Sequence, residues 1–311
     1  MNDIGKWLLG FSAYEKIYKL KSKLDNKQVE IVNQFSPIMH SEYQPWMCMQ
    51  ECYPYFINEN DRFNETLVVN DLVLLNKIQD KFINTINCSD RVLKSNTYFY
   101  WQIETIDKDY IDKFFCETQQ VLEIIYKTHF LFEKYILLII NLIYPLKRTI
   151  AAKMTGAGLS THFFRGGVFL IPPEKSEFFE EEYAINIVHE LAHQVYFLYQ
   201  NADPIFKTES NLLVYSVIKK VERPIALSFH ALVATYFMYI YSYYFFKNKN
   251  FKSNNKKIFI INKNNDLKRN LEIGLNVFKN IEFTELGELI LQEMNSALSL
   301  TMNKEVSREN F

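Results

Sequence analysis

The feature of this sequence that most restricts its fold is a run of 23 residues, Pro224 to Phe246, with no Asp, Glu, Lys or Arg, bracketed by Arg223 and Lys247. As a helix, such a run either crosses a bilayer or fills the middle of a large domain, because an all-round apolar helix has no face to give to water. Its polar residues decide between the two. Tyr236, Tyr239, Tyr241, Tyr243 and Tyr244, with Ser228, His230, Thr235 and Ser242, carry groups that need partners, and packed protein supplies these more readily than lipid. The run is therefore expected to be the central helix of a soluble core, not a membrane span. At 311 residues and 48% hydrophobic composition the chain is long enough to build one. Its 35 Lys and Arg against 36 Asp and Glu give no general attraction for phosphate backbones, so nucleic acid is not an expected partner.

Most of the remaining chain also reads as helix. Trp7, Phe11, Tyr14 and Tyr18 recur at helical spacing within Gly5 to Asn33, and a looser stretch with Pro37, Pro45 and Pro54 follows. Apolar periodicity from Asp107 to Tyr144 predicts two consecutive helices ended by Pro145. Four of the eight glycines, Gly156, Gly158, Gly166 and Gly167, fall within twelve residues among Phe163, Phe164, Val168, Phe169, Leu170 and Ile171, which predicts a β-hairpin or short sheet. The Lys- and Asn-rich stretch from Lys247 to Asn270 reads as a solvated loop or small hairpin, and two helices near Leu267 to Ile281 and Thr284 to Met302 close the chain. Cys48, Cys52, Cys88 and Cys116 show no paired metal-finger spacing and read as reduced thiols. The first twenty residues carry Asp3, Lys6, Glu15, Lys16 and Lys19 and lack the apolar core of a signal peptide, so a cytoplasmic protein is expected.

The chemistry concentrates at His189-Glu190-Leu191-Ala192-His193, an HExxH motif. Ser176 is placed to cap a helix beginning near Glu177 and carrying Phe178, Ile185, Val188, Leu191, Ala192 and Val195 at core spacing. Residues four apart share a helix face, so both imidazoles can reach one metal ion, with Glu190 beside it as a base or orienting group. The apolar neighbours Ile185, Ile187, Val188, Ala192 and Val195 argue against two surface histidines, since buried imidazoles need ligands or hydrogen bonds. Two histidines hold a catalytic metal weakly, and a third ligand is expected from His230, Glu209, Glu222, Asp203 or His162. His230 stands out as the strongly metal-binding side chain inside the uncharged run.

Arg223 precedes Pro224, and proline suits the first turn of a helix, so Arg223 is expected at the helix entrance, about two turns from His230. There it could hold the far carboxylate of a short diacid whose other end binds the ion, or form a salt bridge with Glu222. Lys219 is the other basic candidate. The expected fold is mainly α with a small antiparallel β-sheet, an α+β chain built on a zincin-like HExxH helix. A helical N-terminal region, 1–150, without an assigned role, and a metal-binding catalytic region, 151–311, are expected to pack as one unit.

The segment from about Gly158 to Tyr239 resembles the HExxH family of peptide-modifying proteins associated with ribosomally synthesised peptides. The positions that carry the resemblance are His189 to His193, Asp203-Pro204, Tyr215-Ser216, Lys219, Arg223-Pro224 and His230-Ala231. They cover roughly a quarter of the chain. Val217 stands where proline is common in that family, Lys219 where arginine is expected, and Ala231 where glycine is usual. A lysine keeps the charge but not the bidentate fork.

The resemblance implies an Fe(II)- and 2-oxoglutarate-dependent peptidyl β-hydroxylase acting on a ribosomally made precursor peptide. His189, His193 and His230 would hold the iron, Arg223 and Lys219 would bind the co-substrate, and Glu190 would orient a ligand or the substrate. A peptide would lie along the Gly-rich strand near Phe163 to Phe169. A carboxylate ligand such as Glu209 or Glu222 is the alternative to His230, as in the two-histidine, one-carboxylate triad. The rival reading is a zinc peptidase, with Glu190 as general base and Tyr215 or His162 stabilising the oxyanion. A metal-free peptide escort is the third.

Overall fold

A computed structural model describes residues 5–35, 67, 68, 70, 72, 76, 106–147, 158–160, 166–208, 211–248, 251 and 253–300. Its elements are α1 (Phe11–Phe35), β1 (Leu67–Val68), α2 (Lys108–Thr128), α3 (Phe130–Ile139), β2 (Leu142–Pro145), β3 (Gly158–Leu159), β4 (Gly167–Leu170), α4 (Phe179–Ala202), β5 (Leu213–Ser216), β6 (Val221–Pro224), α5 (Ile225–Asn248), α6 (Asn254–Phe278) and α7 (Glu285–Ala297). The chain is mainly helical with small sheets, as expected. It divides into two compact units, each assembled from separate segments. One draws on 1–20, 121–135 and 173–311, the other on 21–120 and 136–172.

The second unit holds a four-stranded sheet in the order β1-β2-β4-β3. It is mixed, not wholly antiparallel: β1, β2 and β4 run parallel, and β3 joins β4 antiparallel in the Gly-rich region. The helix expected to run to Tyr144 stops at Ile139, and Leu142 to Pro145 form a fully buried strand. A short continuous apolar run has no period with which to choose between helix and buried strand. Gly166, at φ 79°, makes the turn into β4, and its carbonyl accepts from the N–H groups of Asn141 and Leu142. The proline-bearing stretch at 37–54, and Phe163 and Phe164, lie outside the described residues.

The first unit is organised around α5, the uncharged run, which packs against α4 and α6. Among the described residues it is the one helix long and apolar enough to cross a membrane, and 83% of its most apolar window is buried inside the protein. Its polar groups find protein partners. Tyr236 donates to Glu293 at 2.9 Å and Tyr239 to the Leu300 carbonyl at 2.5 Å, while Ser228 and Thr235 donate to the carbonyls of Val214 and Ala231, each at 2.9 Å. Asn264 of α6 donates to the Tyr239 carbonyl and to Ser242 Oγ at 3.0 and 2.8 Å, tying the two helices with polar contacts inside an apolar interface.

Two expectations for this unit are corrected. The Lys- and Asn-rich stretch expected as a loop is the start of α6. Ile260, Asn264, Leu267, Leu271 and Leu275 are buried at spacings of three and four, and that face overrides the poor helix propensity of the asparagines. Residues 5–10, expected to be helical, instead form a bent segment that wraps the Glu293 carboxylate. Oε2 accepts from the N–H groups of Lys6 and Trp7 and Oε1 from those of Leu8 and Leu9, at 2.6 to 3.1 Å. Tyr135 OH bonds both Gly10 N and Gly10 O. Thr284 caps α7 by accepting from Gly287 N–H.

Candidate metal centre

The site is carried by α4, α5 and the hairpin between them. Three acidic residues, Glu180 to Glu182, occupy the first turn of α4 and favour its positive end. Ser176, expected to cap the helix, lies three residues before it and its Oγ accepts from Phe178 N–H; Phe178 itself holds the N-cap position, with no side-chain cap bond. Leu191, Ala192 and Val195 are fully buried, which fixes the rotation of the helix and turns His189 and His193 together. Their ring centroids are 4.4 Å apart, and donor atoms of His189, Glu190 and His193 lie within 4.8 Å of one another. His230 arrives from α5 with its centroid 3.6 Å from that of His193.

Aromatic packing holds His230 in place. Phe197 and Tyr196 lie at 4.7 and 5.4 Å from its ring centroid. Behind it, Phe229 packs among Phe206, Phe278 and Phe283 at 5.1 to 5.4 Å. Tyr196 and Phe197 were not singled out in the sequence, though their positions, three and four residues after His193, mark the next turn of the same face.

The donor chemistry fits a metal ion. Nδ1 of His193 is buried with no hydrogen-bond partner, a costly state for a ring nitrogen unless a ligand takes it up. Burial, and then the charges of Lys219 and Lys263, push His189 from its ordinary 6.5 down to about 4. His193 is driven well below 6.5 by burial, then by the neighbouring His230 and His189, then by Arg223 and Lys219. These imidazoles are therefore neutral at physiological pH, the form that binds metals.

The hairpin supplies the cations. β5 and β6 pair antiparallel with Val214 opposite Arg223, Tyr215 opposite Glu222 and Ser216 opposite Val221. Directly opposed residues share a face, and Val214 and Ser216 are on the buried one while Leu213 and Tyr215 are exposed. Arg223 is thus on the inner face and Glu222 on the outer. Arg223 was expected at a helix entrance; it stands in a strand, with Pro224 closing β6 one residue before α5. Its pairing opposite buried Val214, not a helix cap, sets its direction. Among the described residues Arg223 forms no salt bridge, so the expected alternative pairing with Glu222 is not made. Lys219 lies in the turn, where burial and Arg223 lower its pKa while Glu190 opposes the shift. Both cations are within electrostatic reach of the histidines.

His189, Glu190, His193, His230, Lys219 and Arg223 are therefore gathered at one place. Tyr215 is not among them: it is 37% exposed on the outer face of the hairpin and forms no hydrogen bond or ring contact with the histidines among the described residues. Asp203 ends α4 and is exposed, and Glu222 faces outward with Tyr215. His162 and Glu209 lie outside the described residues. Comparison with known families and with curated proteins finds no match to the chain.

Proposed function

We propose that this protein is an Fe(II)- and 2-oxoglutarate-dependent oxygenase that hydroxylates Cβ of a residue in a ribosomally made precursor peptide. The observation that carries the reading is the pair of cationic side chains, Arg223 and Lys219, set beside neutral imidazoles that include a buried, unsatisfied ring nitrogen. A site meant for a metal alone gains nothing from nearby positive charge. A site meant for a metal together with a dicarboxylate gains the diacid's counter-charges.

His189, His193 and His230 would hold the ion, with the Glu190 carboxylate adjacent. When bound, Fe(II) with 2-oxoglutarate and dioxygen supplies the oxidising equivalents that replace a C–H bond by C–OH, the 2-oxo acid being decarboxylated to succinate. The protein's own contribution is positional. Burial keeps His189 and His193 deprotonated, and Phe197 and Tyr196 fix the His230 ring. Arg223 offers a planar fork to the far carboxylate of the co-substrate, and Lys219 adds a point charge. Glu190 accepts hydrogen bonds and orients groups around the ion.

The second reading, a zinc peptidase, is favoured by one observation, the Glu190 carboxylate lying within 4.8 Å of the histidine donors, where a general base stands. Anaerobic calorimetry separates the two. Protein loaded with Fe(II) is expected to bind 2-oxoglutarate, metal-free protein is not, and Arg223→Ala should weaken binding about 10- to 100-fold by loss of charge-assisted hydrogen bonds. Turnover should add about 16 Da to an intact peptide. Absence of 2-oxoglutarate binding in both samples, with peptide cleavage lost in Glu190→Ala, would replace the oxygenase by the peptidase.

A further inference from the structure

Ser216 is the last residue of β5. It is fully buried, and its Oγ has no hydrogen-bond partner. The buried serines of α5 differ: Ser228 donates to the Val214 carbonyl at 2.9 Å and Ser242 to the Tyr239 carbonyl at 3.0 Å. A strand position this enclosed would ordinarily carry Val or Ala, and a hydroxyl left there unsatisfied weakens the fold unless something else uses it.

The register says what that is. Ser216 opposes Val221, so Arg223, two residues further along β6, is its diagonal neighbour on the same inner face, within reach of a long side chain. The turn begins directly after it. Lys220 N–H donates to the Ser216 carbonyl at 2.7 Å, and Lys220 takes the left-handed conformation at φ 56°, which fixes the tight turn that carries Lys219. One hairpin end thus brings together a guanidinium, an ammonium and an unsatisfied neutral donor. That set suits a carboxylate: the fork and the ammonium balance its charge, and the hydroxyl serves a remaining lone pair.

We infer that Ser216 is a specificity-determining residue of the co-substrate site, its hydroxyl donating to the carboxylate held by Arg223 and Lys219. The assignment rests on the proposed oxygenase reading and adds a ligand contact to it. Because the hydroxyl is unsatisfied without the carboxylate, its removal has opposite effects on fold and binding.

The test compares wild type, Ser216→Ala and Ser216→Thr as full chains. Metal content, thermal unfolding of the apoprotein, and 2-oxoglutarate affinity of the Fe(II)-loaded protein under anaerobic conditions are measured for each. Ser216→Ala is expected to keep its metal, unfold at the same temperature or higher, and bind 2-oxoglutarate about tenfold more weakly; Ser216→Thr, which retains the hydroxyl, recovers most of the affinity. Equal affinity in wild type and Ser216→Ala overturns the inference and leaves the oxygenase reading standing. A lower unfolding temperature or lost metal in Ser216→Ala also overturns it, since the hydroxyl would then be structural. No 2-oxo acid binding by wild-type protein that holds its metal overturns both.

Discussion

Acidification tests the electrostatics of the metal centre most directly. Metal binding requires neutral imidazoles. At pH 5.5 a histidine with an ordinary pKa of 6.5 is about nine-tenths protonated, so each such ligand weakens apparent affinity about tenfold, and two weaken it about 100-fold. His189, held near 4 by burial and by Lys219 and Lys263, is still almost entirely neutral at that pH, and His193 is displaced in the same direction. Titration with Co(II), followed by its visible absorption, should therefore give dissociation constants that differ by no more than about tenfold between pH 7.0 and 5.5, the most that one further histidine ligand adds. The apoprotein carries the same signature. Because His189 binds its proton less readily folded than unfolded, its contribution to stability is present above pH 6.5 and lost as pH falls through 4. The gap between 6.5 and about 4 is worth about 3 kcal/mol. A 100-fold loss of Co(II) affinity by pH 5.5 would show that the rings are solvated like surface histidines and would refute the half-buried, cation-flanked cluster.

Two further predictions concern what holds the site's scaffold together. Glu293→Ala removes the acceptor for four backbone N–H groups, Lys6 to Leu9, and for Tyr236 OH; it should cost roughly 3–5 kcal/mol in urea unfolding and expose residues 6–9 to early proteolysis, and an unchanged midpoint would show that the segment binds independently of this carboxylate. Gly287→Ala puts a Cβ into the backbone carbonyl of Ile205 and 2.6 Å from a ring carbon of Phe283; thermal unfolding should report a loss of about 1–3 kcal/mol, and none would mean that the loop after α4 yields freely.

What the sequence made legible was whatever repeats locally. The α4 helix showed itself through core spacing around His189 and His193, and α5 through the absence of charge from Pro224 to Phe246. The hairpin between them was missed. Its strands are four residues long, and its turn runs through Val217, Ile218, Lys219 and Lys220 with no glycine or asparagine; Lys220 adopts the left-handed conformation itself. Reading Leu213 to Ser216 at period two would have separated Val214 and Ser216 from Tyr215, and so placed Arg223 inward and Glu222 outward. Residues 5–10 were illegible for another reason. Their partner, Glu293, is more than 280 positions away, and no local period encodes such a contact. In α6 the asparagines concealed an apolar stripe that decides the structure only when α5 lies against it.

The placement of Lys219 and Arg223 beside the histidines bears on how such a site fills. Burial first, and then the nearby cations, keep protons off His189 and His193, and by the Coulomb term those cations also disfavour a divalent ion bound alone. A dicarboxylate cancels that repulsion, since one end can meet the metal while the other meets the arginine and lysine. Each partner then raises the affinity of the other by an equal factor, as linkage requires. The hairpin is consequently more than a support for Arg223. Under the proposed reading, positive charge beside the ligand set would couple the loading of the ion to that of its anionic co-substrate.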